Sequence, residues 1–403
     1  MFWRRKVLGL YLRRVNSAES AASVATSAAK FPLSLLCLSA SWGGLELNTV
    51  RFADWMQRRG WPVQVITLAD SPIAARAAAL QLPVAFLSNR WKALDVPAAS
   101  RLAGILRAFN TRALLVSRNG DLGVAVLCKT VYLPALKLVY QQHMQLGPPK
   151  RSLVHTLRFR ALDAWLSPLP GLARQVLKKT HLSPQKLHVV PLGIELEKFA
   201  DPALTRAVAR QKLNLHVPAD AVLLGLIGRF DDGKGQDFLV EELAILRRQH
   251  PNLHLLLVGE STRNEGNAYR DAVLRRVREL GIEAVVHIRE FTPQPEIAYR
   301  ALDISITGST SETYGMVTIE AMAAGLPVIA TATGGTLEIV DDGRTGLLFP
   351  LRNAAAFEAA IGRLLHEPEL MQQLGQQAQA EALATYSHHR QCELTERVLL
   401  QLG

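Results

Sequence analysis

The sequence predicts an α/β protein made of two doubly wound, Rossmann-like units, each a parallel sheet with helices on both faces. Short apolar segments typical of buried strands alternate with segments of helical periodicity through both halves of the chain. In each half, one such strand runs directly into a glycine-containing loop before the next helix begins. The chain has 403 residues, of which 49% are apolar, so it is long enough for two or three domains with sizeable cores.

The chain begins with a basic segment, and residues 1–30 are predicted to be a leader and linker outside the two units. Residues 1–14 contain five Lys or Arg and no acidic residue. Drawn as a helix, the segment places Trp3, Val7, Leu10 and Tyr11 on one face. Its basic side chains lie on the opposite face. Such a helix is suited to an anionic membrane surface, although a disordered basic leader fits the same residues.

The first unit is predicted over residues 31–205. Residues 33–39 have the composition of a buried strand, and a helix is predicted from about residue 47 to residue 59. Gly43 and Gly44 lie between them. A glycine pair between strand and helix lets the backbone approach a phosphate, although by itself such a pair is more often only a tight turn.

The alternation continues through the rest of the first unit. Further strands are predicted at residues 62–68, 113–117 and 137–141. The last of these leads to His143, and a lone histidine at a strand end is structural more often than functional. A helix is predicted over residues 153–165, where His155, Arg158 and Arg160 form a basic surface for lipid or an anionic acceptor.

The charge balance predicts anionic partners. The formal net charge is +11, and residues 137–186 hold nine Lys or Arg against one acid, Asp163. Nucleotide phosphates, anionic lipid or a phosphorylated acceptor would each suit this excess. Nucleic acid is not predicted, because the basic segments lack the aromatic pattern that stacks on bases. The three cysteines are widely separated, which is typical of a reducing compartment and predicts a cytoplasmic protein.

The second unit is predicted over residues 206–385. Residues 222–228 read as a core strand, and Arg229 and Lys234 follow in a loop that ends at Gly235. An Arg/Lys pair in a loop is usually only solvated, but directly after a core strand it is placed to hold an anionic ligand. Later strands are predicted at residues 253–258, 285–288 and 301–307, and later helices at residues 238–249, 357–365, 371–385 and 390–402.

The stretch over residues 309–350 is the most informative part of the sequence. Glu312 precedes a Tyr-Gly pair, and Glu320 follows Glu312 by eight residues. The spacing of apolar residues predicts a helix from about Gly315 to Ala324, with one carboxylate at its entrance and the other about two turns along. The free N–H groups at the helix start form an anion site between the two.

This stretch resembles the E-x7-E element of retaining glycosyltransferases of family 4, which have the two-domain GT-B fold. The resemblance extends through the Tyr-Gly pair, residues 320–328, Gly334-Gly335 and the turn at residues 342–346. The loop from Arg229 to Gly235 resembles the family's G-R-x4-K-G element. Residues 189–195 resemble the V-x-P-N-G-x-D junction of the family, with Leu192 in place of Asn and Glu195 in place of Asp.

The resemblance implies a GT-B fold, α/β, with two Rossmann-like doubly wound domains facing across a cleft. The nucleotide diphosphate sugar then lies mainly on the second unit and the acceptor on the first, and residues 386–403 return to the first unit as a helix. Glu320 is expected to hold the ribose, Glu312 the transferred sugar, and Arg229 with Lys234 the diphosphate. The implied donor-binding residues are Gly43, Gly44, Arg229, Lys234, Glu312, Tyr314, Gly315, Met316, Val317 and Glu320. The implied catalytic residues are Glu312, His143, Arg229 and Lys234.

The implied function is retaining transfer of a sugar from a UDP- or GDP-linked donor to a glycan or lipid-linked acceptor, in cell-envelope polysaccharide or lipopolysaccharide synthesis. No metal or other cofactor is predicted, because the chain has no D-x-D and cations already stand at the phosphate site. A GT-B hydrolase or epimerase, or a non-catalytic sugar-nucleotide-binding relative, remains open. The expected location is cytoplasmic, either free or peripheral on the inner face of the cytoplasmic membrane.

Overall fold

The computed structural model describes residues 29–89, 91, 95–261, 266–290, 292 and 294–403. Residues 1–28, which contain nearly all of the basic leader, lie outside this description, so the amphipathic leader helix stays a prediction. No helix among the described residues is long and apolar enough to cross a membrane.

The first unit contains, within the described residues, a parallel sheet of seven strands in the order β3-β2-β1-β4-β5-β6-β7. Helices cover both faces, so strand residues such as Leu33, Leu35 and Leu36 are fully buried. The strands are β1 (Leu33–Leu36), β2 (Val63–Thr67), β3 (Val84–Phe86), β4 (Ala113–Val116), β5 (Lys137–Gln141), β6 (Ala164–Ser167) and β7 (Leu187–Val189). The helices are α1 (Gly44–Arg58), α2 (Pro72–Ala79), α3 (Val96–Ala108), α4 (Leu122–Leu127), α5 (Leu153–Arg160) and α6 (Pro170–Lys179).

The second unit contains, in the part of the chain that is described, a parallel sheet of six strands in the order β10-β9-β8-β11-β12-β13. Its strands are β8 (Val222–Ile227), β9 (Leu253–Val258), β10 (Val286–Arg289), β11 (Ile304–Thr307), β12 (Val328–Thr331) and β13 (Leu347–Phe349). Its helices are α7 (Arg206–Lys212), α8 (Gln236–Leu246), α9 (Ala268–Glu279), α10 (Pro295–Ala301), α11 (Met316–Ala323), α12 (Thr336–Ile339), α13 (Ala354–His366) and α14 (Pro368–Thr385). The predicted pair of Rossmann-like sheets is thus confirmed.

The strand order places one binding edge on each sheet. In both sheets the strand order reverses at one point. Successive strands are added on one side of β1 or β8, and the chain then returns to add β4 or β11 on the other side. Ligands of open α/β sheets bind beyond the carboxyl ends of the strands at such a reversal. The loops that follow β1, β8 and β11 carry most of the predicted site residues.

Two chain segments cross where the units meet, and we call residues 190–196 and 386–391 the domain junction. Ile194 accepts a hydrogen bond from the backbone N–H of His388 and donates its own N–H to the carbonyl of Tyr386, both at 2.9 Å. A Cβ at Gly193 would lie 2.6 Å from the carbonyl oxygen of Ser387, so this crossing requires glycine. Beyond it α15 (His388–Leu402) buries its apolar face in the same cluster as β1 and α1.

The predicted helix over residues 153–165 is wrong in its second half. The helix ends at Arg160, and Trp165 lies in strand β6. The indole of Trp165 is fully buried and donates to Gln142 at 3.0 Å, and Asp163 accepts the N–H of Leu138 at the start of β5. Strand pairing and burial of the indole therefore outweigh the helical spacing, which the sequence alone showed.

Candidate active site

The centre of the site lies on the second unit, where the loops after β8 and β11 touch. Gly235 has a φ of +89°, and a Cβ there would lie 2.7 Å from the carbonyl oxygen of Gly308. Only glycine allows both the left-handed backbone and this close approach. The contact brings Lys234, at the end of one loop, beside Glu312 in the other.

Lys234 and Glu312 form an ion pair. The Lys234 Nζ lies 3.0 Å from Glu312 Oε2, and Ser309 donates its hydroxyl to the same oxygen at 3.3 Å. The backbone carbonyl of Glu312 accepts the N–H of Gly335 at 2.7 Å, and a side chain at Gly334 would collide with that carbonyl. The glycine pair thus positions Glu312, a role that sequence reasoning did not assign.

The start of α11 offers free N–H groups next to this ion pair. Gly315 precedes the helix with a φ of +100°, and its carbonyl accepts the N–H of Thr318 at 3.0 Å. Among the described residues no hydrogen bond engages the N–H of Met316 or Val317. Val317 and Lys234 also line a cavity of about 20 Å³, which holds about one water molecule. The arrangement suits a phosphate oxygen.

Glu320 lies further along α11 in a different environment. Burial raises the pKa of its carboxyl to about 7, and the Tyr299 hydroxyl donates to it at 3.0 Å. The same hydroxyl lies 3.0 Å from the Val317 carbonyl. Arg51, on α1 of the first unit, opposes the pKa increase through its positive charge. Neither Tyr299 nor Arg51 was predicted, because only the folded chain brings them near Glu320.

The side chain of Tyr314 points into the domain junction. It is buried, and its hydroxyl donates to the carbonyl of Leu192 at 2.7 Å. The ring also contacts Tyr386 edge to face. The side chain therefore braces the domain junction, and donor binding by Tyr314 stays a prediction. Leu192, which replaces the family's Asn, contributes a backbone carbonyl to this brace.

Arg229 stands apart from the Lys234–Glu312 pair. Its side chain is exposed and lies 3.5 Å from Asp231, while its carbonyl accepts a hydrogen bond from Gln236 at 2.8 Å. The guanidinium is therefore open to solvent, and it must leave Asp231 to bind a ligand. Its role as a phosphate contact stays a prediction.

The first unit presents His143 and the glycine pair. His143 follows β5 and is buried, which lowers the pKa of its imidazole to about 4. Its Nε2 has no hydrogen-bond partner among the described residues. No atom lies within 4 Å of a Cβ built on Gly44, so open space lies beside the first residue of α1. The described hydrogen bonds and ion pairs do not join these residues to Lys234 or Glu312.

Two protein-family models match the chain, one on each unit. The model of Glycosyltransferase Family 4 matches residues 42–198, and that of Glycosyl transferases group 1 matches residues 210–381. The chain belongs to glycosyltransferase family 4. It is accordingly a retaining glycosyltransferase that takes its sugar from a nucleotide sugar.

Similar proteins agree with this membership. A D-inositol 3-phosphate glycosyltransferase of Thermomonospora curvata is 29% identical over 368 residues, which cover 82% of this chain and 84% of the relative. One from Streptomyces scabiei is 34% identical over 242 residues, covering 58% of this chain and 53% of the relative. The chain thus spans most of the first relative and about half of the second.

Solved structures show the same GT-B fold. A glycosyltransferase from Rickettsia africae superposes with a TM-score of 0.82 at 17% identity, covering 93% of this chain and 99% of that one. The Anabaena protein HepE, in complex with UDP-glucose, superposes with a TM-score of 0.75 at 21% identity, covering 92% and 99%.

Metal-ligating side chains gather at the domain junction. Among the described residues, one group of three or more His, Cys, Asp or Glu brings its ligand atoms within 4.8 Å of one another: Glu197, His388 and His389. All three lie at or beside the domain junction. The Lys234–Glu312 pair therefore has no such group beside it within the described part of the chain.

Proposed function

We propose that this protein transfers a sugar from a UDP- or GDP-linked donor to a glycan or lipid-linked acceptor in cell-envelope synthesis. The observation behind the proposal is the Lys234–Glu312 ion pair beside the unpaired N–H groups of Met316 and Val317. A cation, a carboxylate and a helix start at one sheet edge match the phosphate and the sugar of a nucleotide sugar.

When the donor binds, Lys234 and Glu312 exchange each other for the phosphate and the sugar of the donor. Without a donor, Lys234 binds Glu312 at 3.0 Å. A diphosphate seated on the N–H groups of α11 draws the ammonium of Lys234 toward itself. Glu312 then turns its carboxylate to hydroxyls of the transferred sugar. The cation stabilises the charge that develops on the departing phosphate, which is the main electrostatic requirement of this reaction.

Glu320 and His143 hold the two ends of the donor. Glu320 is half-buried and hydrogen-bonded to Tyr299. When its carboxylate is ionised, it accepts hydrogen bonds from both ribose hydroxyls. His143 is neutral near pH 7, because burial lowers its pKa to about 4, and its unpaired Nε2 accepts or donates one hydrogen bond to the sugar. A neutral imidazole orients the reacting carbon without adding charge to the oxocarbenium-like centre.

Two classes of acceptor fit the basic first unit. A lipid-linked or glycan precursor suits the charge excess of residues 137–186. A polyol phosphate is the second class, favoured by the likeness to D-inositol 3-phosphate glycosyltransferases over most of the chain. Lys and Arg attract the phosphate of a polyol phosphate or of a phosphate-bearing lipid-linked precursor.

A membrane face on α5 supports the lipid-linked class and a peripheral location in the cytoplasm. Leu153, Val154 and Leu157 are 74%, 63% and 55% exposed. Arg151 and Arg158 flank these residues in sequence, so apolar and basic side chains are interleaved. That combination is typical of a helix that lies on an anionic leaflet. The basic leader would add to the same attraction.

The function is tested by a matrix of donors and acceptors. Purified protein is offered UDP-glucose, UDP-galactose, UDP-N-acetylglucosamine and GDP-mannose, each with inositol phosphate, lipid extract or no acceptor. Nucleotide release that requires an acceptor, with an anomeric configuration kept in the product, is the expected result. Equal release without any acceptor would identify a hydrolase. Absence of release despite donor binding would identify a non-catalytic relative.

The membrane face is tested separately by vesicle flotation. The double variant Leu153→Ser with Leu157→Ser, and a deletion of residues 1–16, should each bind vesicles of anionic phospholipid less than the parent, most clearly at low salt. Leu383→Ser, on exposed α14 of the second unit, is the matched control and should bind as the parent does. Equal binding by all four proteins would refute a membrane role for α5 and the leader.

A further inference from the structure

Three side chains that can ligate a metal meet beside the domain junction. Glu197 lies in the short 3-10 turn Leu196–Lys198, and His388 and His389 open α15. The Nδ1 of His388 is 4.0 Å from Glu197 Oε2, and the Nε2 of His389 is 3.9 Å from Glu197 Oε1. The two imidazole rings are 4.0 Å apart. Residues nearly 200 positions apart in the chain thus converge on one point.

His388 is the fixed member of the group. Its backbone N–H donates to the Ile194 carbonyl at 2.9 Å, and its ring contacts Trp55 at 5.1 Å between centroids. Its side chain is 15% exposed, and the Nδ1 is buried without a hydrogen-bond partner among the described residues. A buried imidazole nitrogen without a partner is costly, and a metal ion would satisfy it.

The other two ligands have room to adjust. The side chains of His389 and Glu197 are 60% and 67% exposed. Ligand atoms bound to a tetrahedral zinc ion at about 2.0–2.2 Å lie roughly 3.3 Å apart. The observed spacings must therefore shorten by roughly half an ångström, which exposed side chains achieve by small torsional changes.

The ligand types select the metal. Two imidazoles and one carboxylate suit zinc, whereas magnesium and calcium prefer sites made entirely of oxygen ligands. The N-terminus of α15 carries the partial positive charge of the helix dipole, which disfavours a cation. The full negative charge of Glu197 is larger than this partial charge. We infer that Glu197, His388 and His389 bind one zinc ion, with solvent in the fourth position.

A zinc ion at this point links the two chain segments that cross at the domain junction. Glu197 follows Ile194 on the passage into the second unit, and His388 stands on the return passage. The bound ion would therefore tie one passage to the other and stabilise the junction. This inference does not depend on which sugar is transferred, since the ligands take no part in the donor site.

The experiment measures zinc binding to the full chain after treatment with EDTA and removal of the chelator. Calorimetric titration with zinc chloride should show one ion per chain in the parent, and magnesium should show none. Glu197→Gln and His389→Ala should each weaken zinc binding at least roughly tenfold. His366→Ala is the matched control, because His366 contacts His250 in the second unit with a ring separation of 5.6 Å. It should bind zinc as the parent does.

A thermal readout distinguishes a bound ion from damaged folding. Zinc should raise the unfolding midpoint of the parent and of His366→Ala, and leave that of Glu197→Gln and His389→Ala unchanged. Both of the latter changes are at exposed side chains, so both proteins are expected to fold. A parent that binds no zinc, or a Glu197→Gln protein that binds and responds as the parent does, would overturn the inference.

Discussion

Glu312 and Glu320 lie on the same short stretch of chain but in unlike surroundings. Glu312 has a cation, Lys234, at 3.0 Å. Glu320 has the hydroxyl of Tyr299, and burial raises its pKa to about 7. The charge of Glu312 is thus compensated in the absence of a donor, whereas that of Glu320 depends on pH. Replacement of Glu312 and replacement of Glu320 should therefore have different effects on donor binding and turnover.

Donor affinity should depend on pH through Glu320. Below about pH 7 the carboxyl is protonated and offers one oxygen fewer to the ribose hydroxyls, so affinity should rise as pH increases through this range. Calorimetry with an intact nucleotide sugar tests this, because its diester phosphates do not titrate there. In Glu320→Gln the dependence should disappear and affinity should fall by about 1–3 kcal/mol.

The same raised pKa has a consequence for stability without a donor. The folded protein retains the Glu320 proton above the ordinary value of 4.5, where the unfolded chain has lost it. The contribution of Glu320 to unfolding free energy therefore declines as pH rises from about 4.5 to about 7. Glu320→Gln should lose this component of the pH dependence. If parent and variant show parallel donor-affinity and stability profiles across the range, the assignment of Glu320 is wrong.

Lys234 should be essential to turnover, and no divalent ion should replace it. Lys234→Ala removes the cation nearest the donor phosphates and should lower kcat by about 100- to 1,000-fold, without rescue by Mg²⁺. Parent activity should persist in excess EDTA. Lys212→Ala, at an exposed position on α7, is the control for loss of a positive charge. Loss of parent activity in EDTA with rescue by Mn²⁺ or Mg²⁺ would contradict this phosphate site.

At the scale of single elements, glycine sets where α11 begins and what its first turn presents. Gly315 adopts a φ of +100°, and a Cβ there would lie 3.1 Å from Cδ1 of Ile339 on α12. The left-handed residue turns the chain so that the N–H groups of Met316 and Val317, the first two residues of the helix, have no partners among the described residues. The anion site is therefore a property of the loop as much as of the helix.

Gly315→Ala should reduce both stability and donor binding. An L-residue in the left-handed region costs about 1–2 kcal/mol, and relief of the contact with Ile339 displaces the first N–H groups of α11. Denaturant unfolding and donor titration check the two effects. Gly362→Ala in the interior of α13, where a Cβ meets no atom within 4 Å, should instead stabilise by about 0.5–1 kcal/mol. Equal effects at both positions would remove the argument for Gly315.

At the scale of the whole molecule, one carboxylate of the second unit reaches the first. Glu338 on α12 accepts the N–H of Gly171 at 2.6 Å, at the start of α6, and lies 3.7 Å from Arg174. An anion at a helix N-terminus stabilises by about 0.3–2 kcal/mol. Because α12 follows the glycine pair that positions Glu312, this contact connects the relative placement of the units to the donor site.

Glu338→Gln should weaken the contact between the two units. Loss of the negative charge weakens the contact with α6, so the radius of gyration from small-angle scattering should increase. Glu381→Gln is the matched control, because Glu381 pairs with Arg344 at 2.9 Å within the second unit. It should leave the scattering profile unchanged. Superimposable profiles for the parent and Glu338→Gln would rule out a role for Glu338 in holding the two units together.

The sequence by itself determined the two-sheet α/β fold, the family and the location of the donor motifs along the chain. Residues 33–39, the Arg229–Gly235 loop and the pair Glu312 and Glu320 are local patterns, and local patterns report strands, turns and helix starts. Short edge strands such as β3 and β7 escaped prediction, because three residues carry too little periodicity.

Only the tertiary structure decided which partner each functional side chain meets. Lys234 and Glu312 are 78 residues apart, and Gly171 and Glu338 are 167 apart. The Tyr314 hydroxyl contacts Leu192 in the domain junction, and Trp165 lies in a strand rather than in the predicted helix. The physical reason is the same in each case. The partners and the burial of a side chain depend on which distant segments the two sheets bring together, and a local sequence pattern carries no information about those segments.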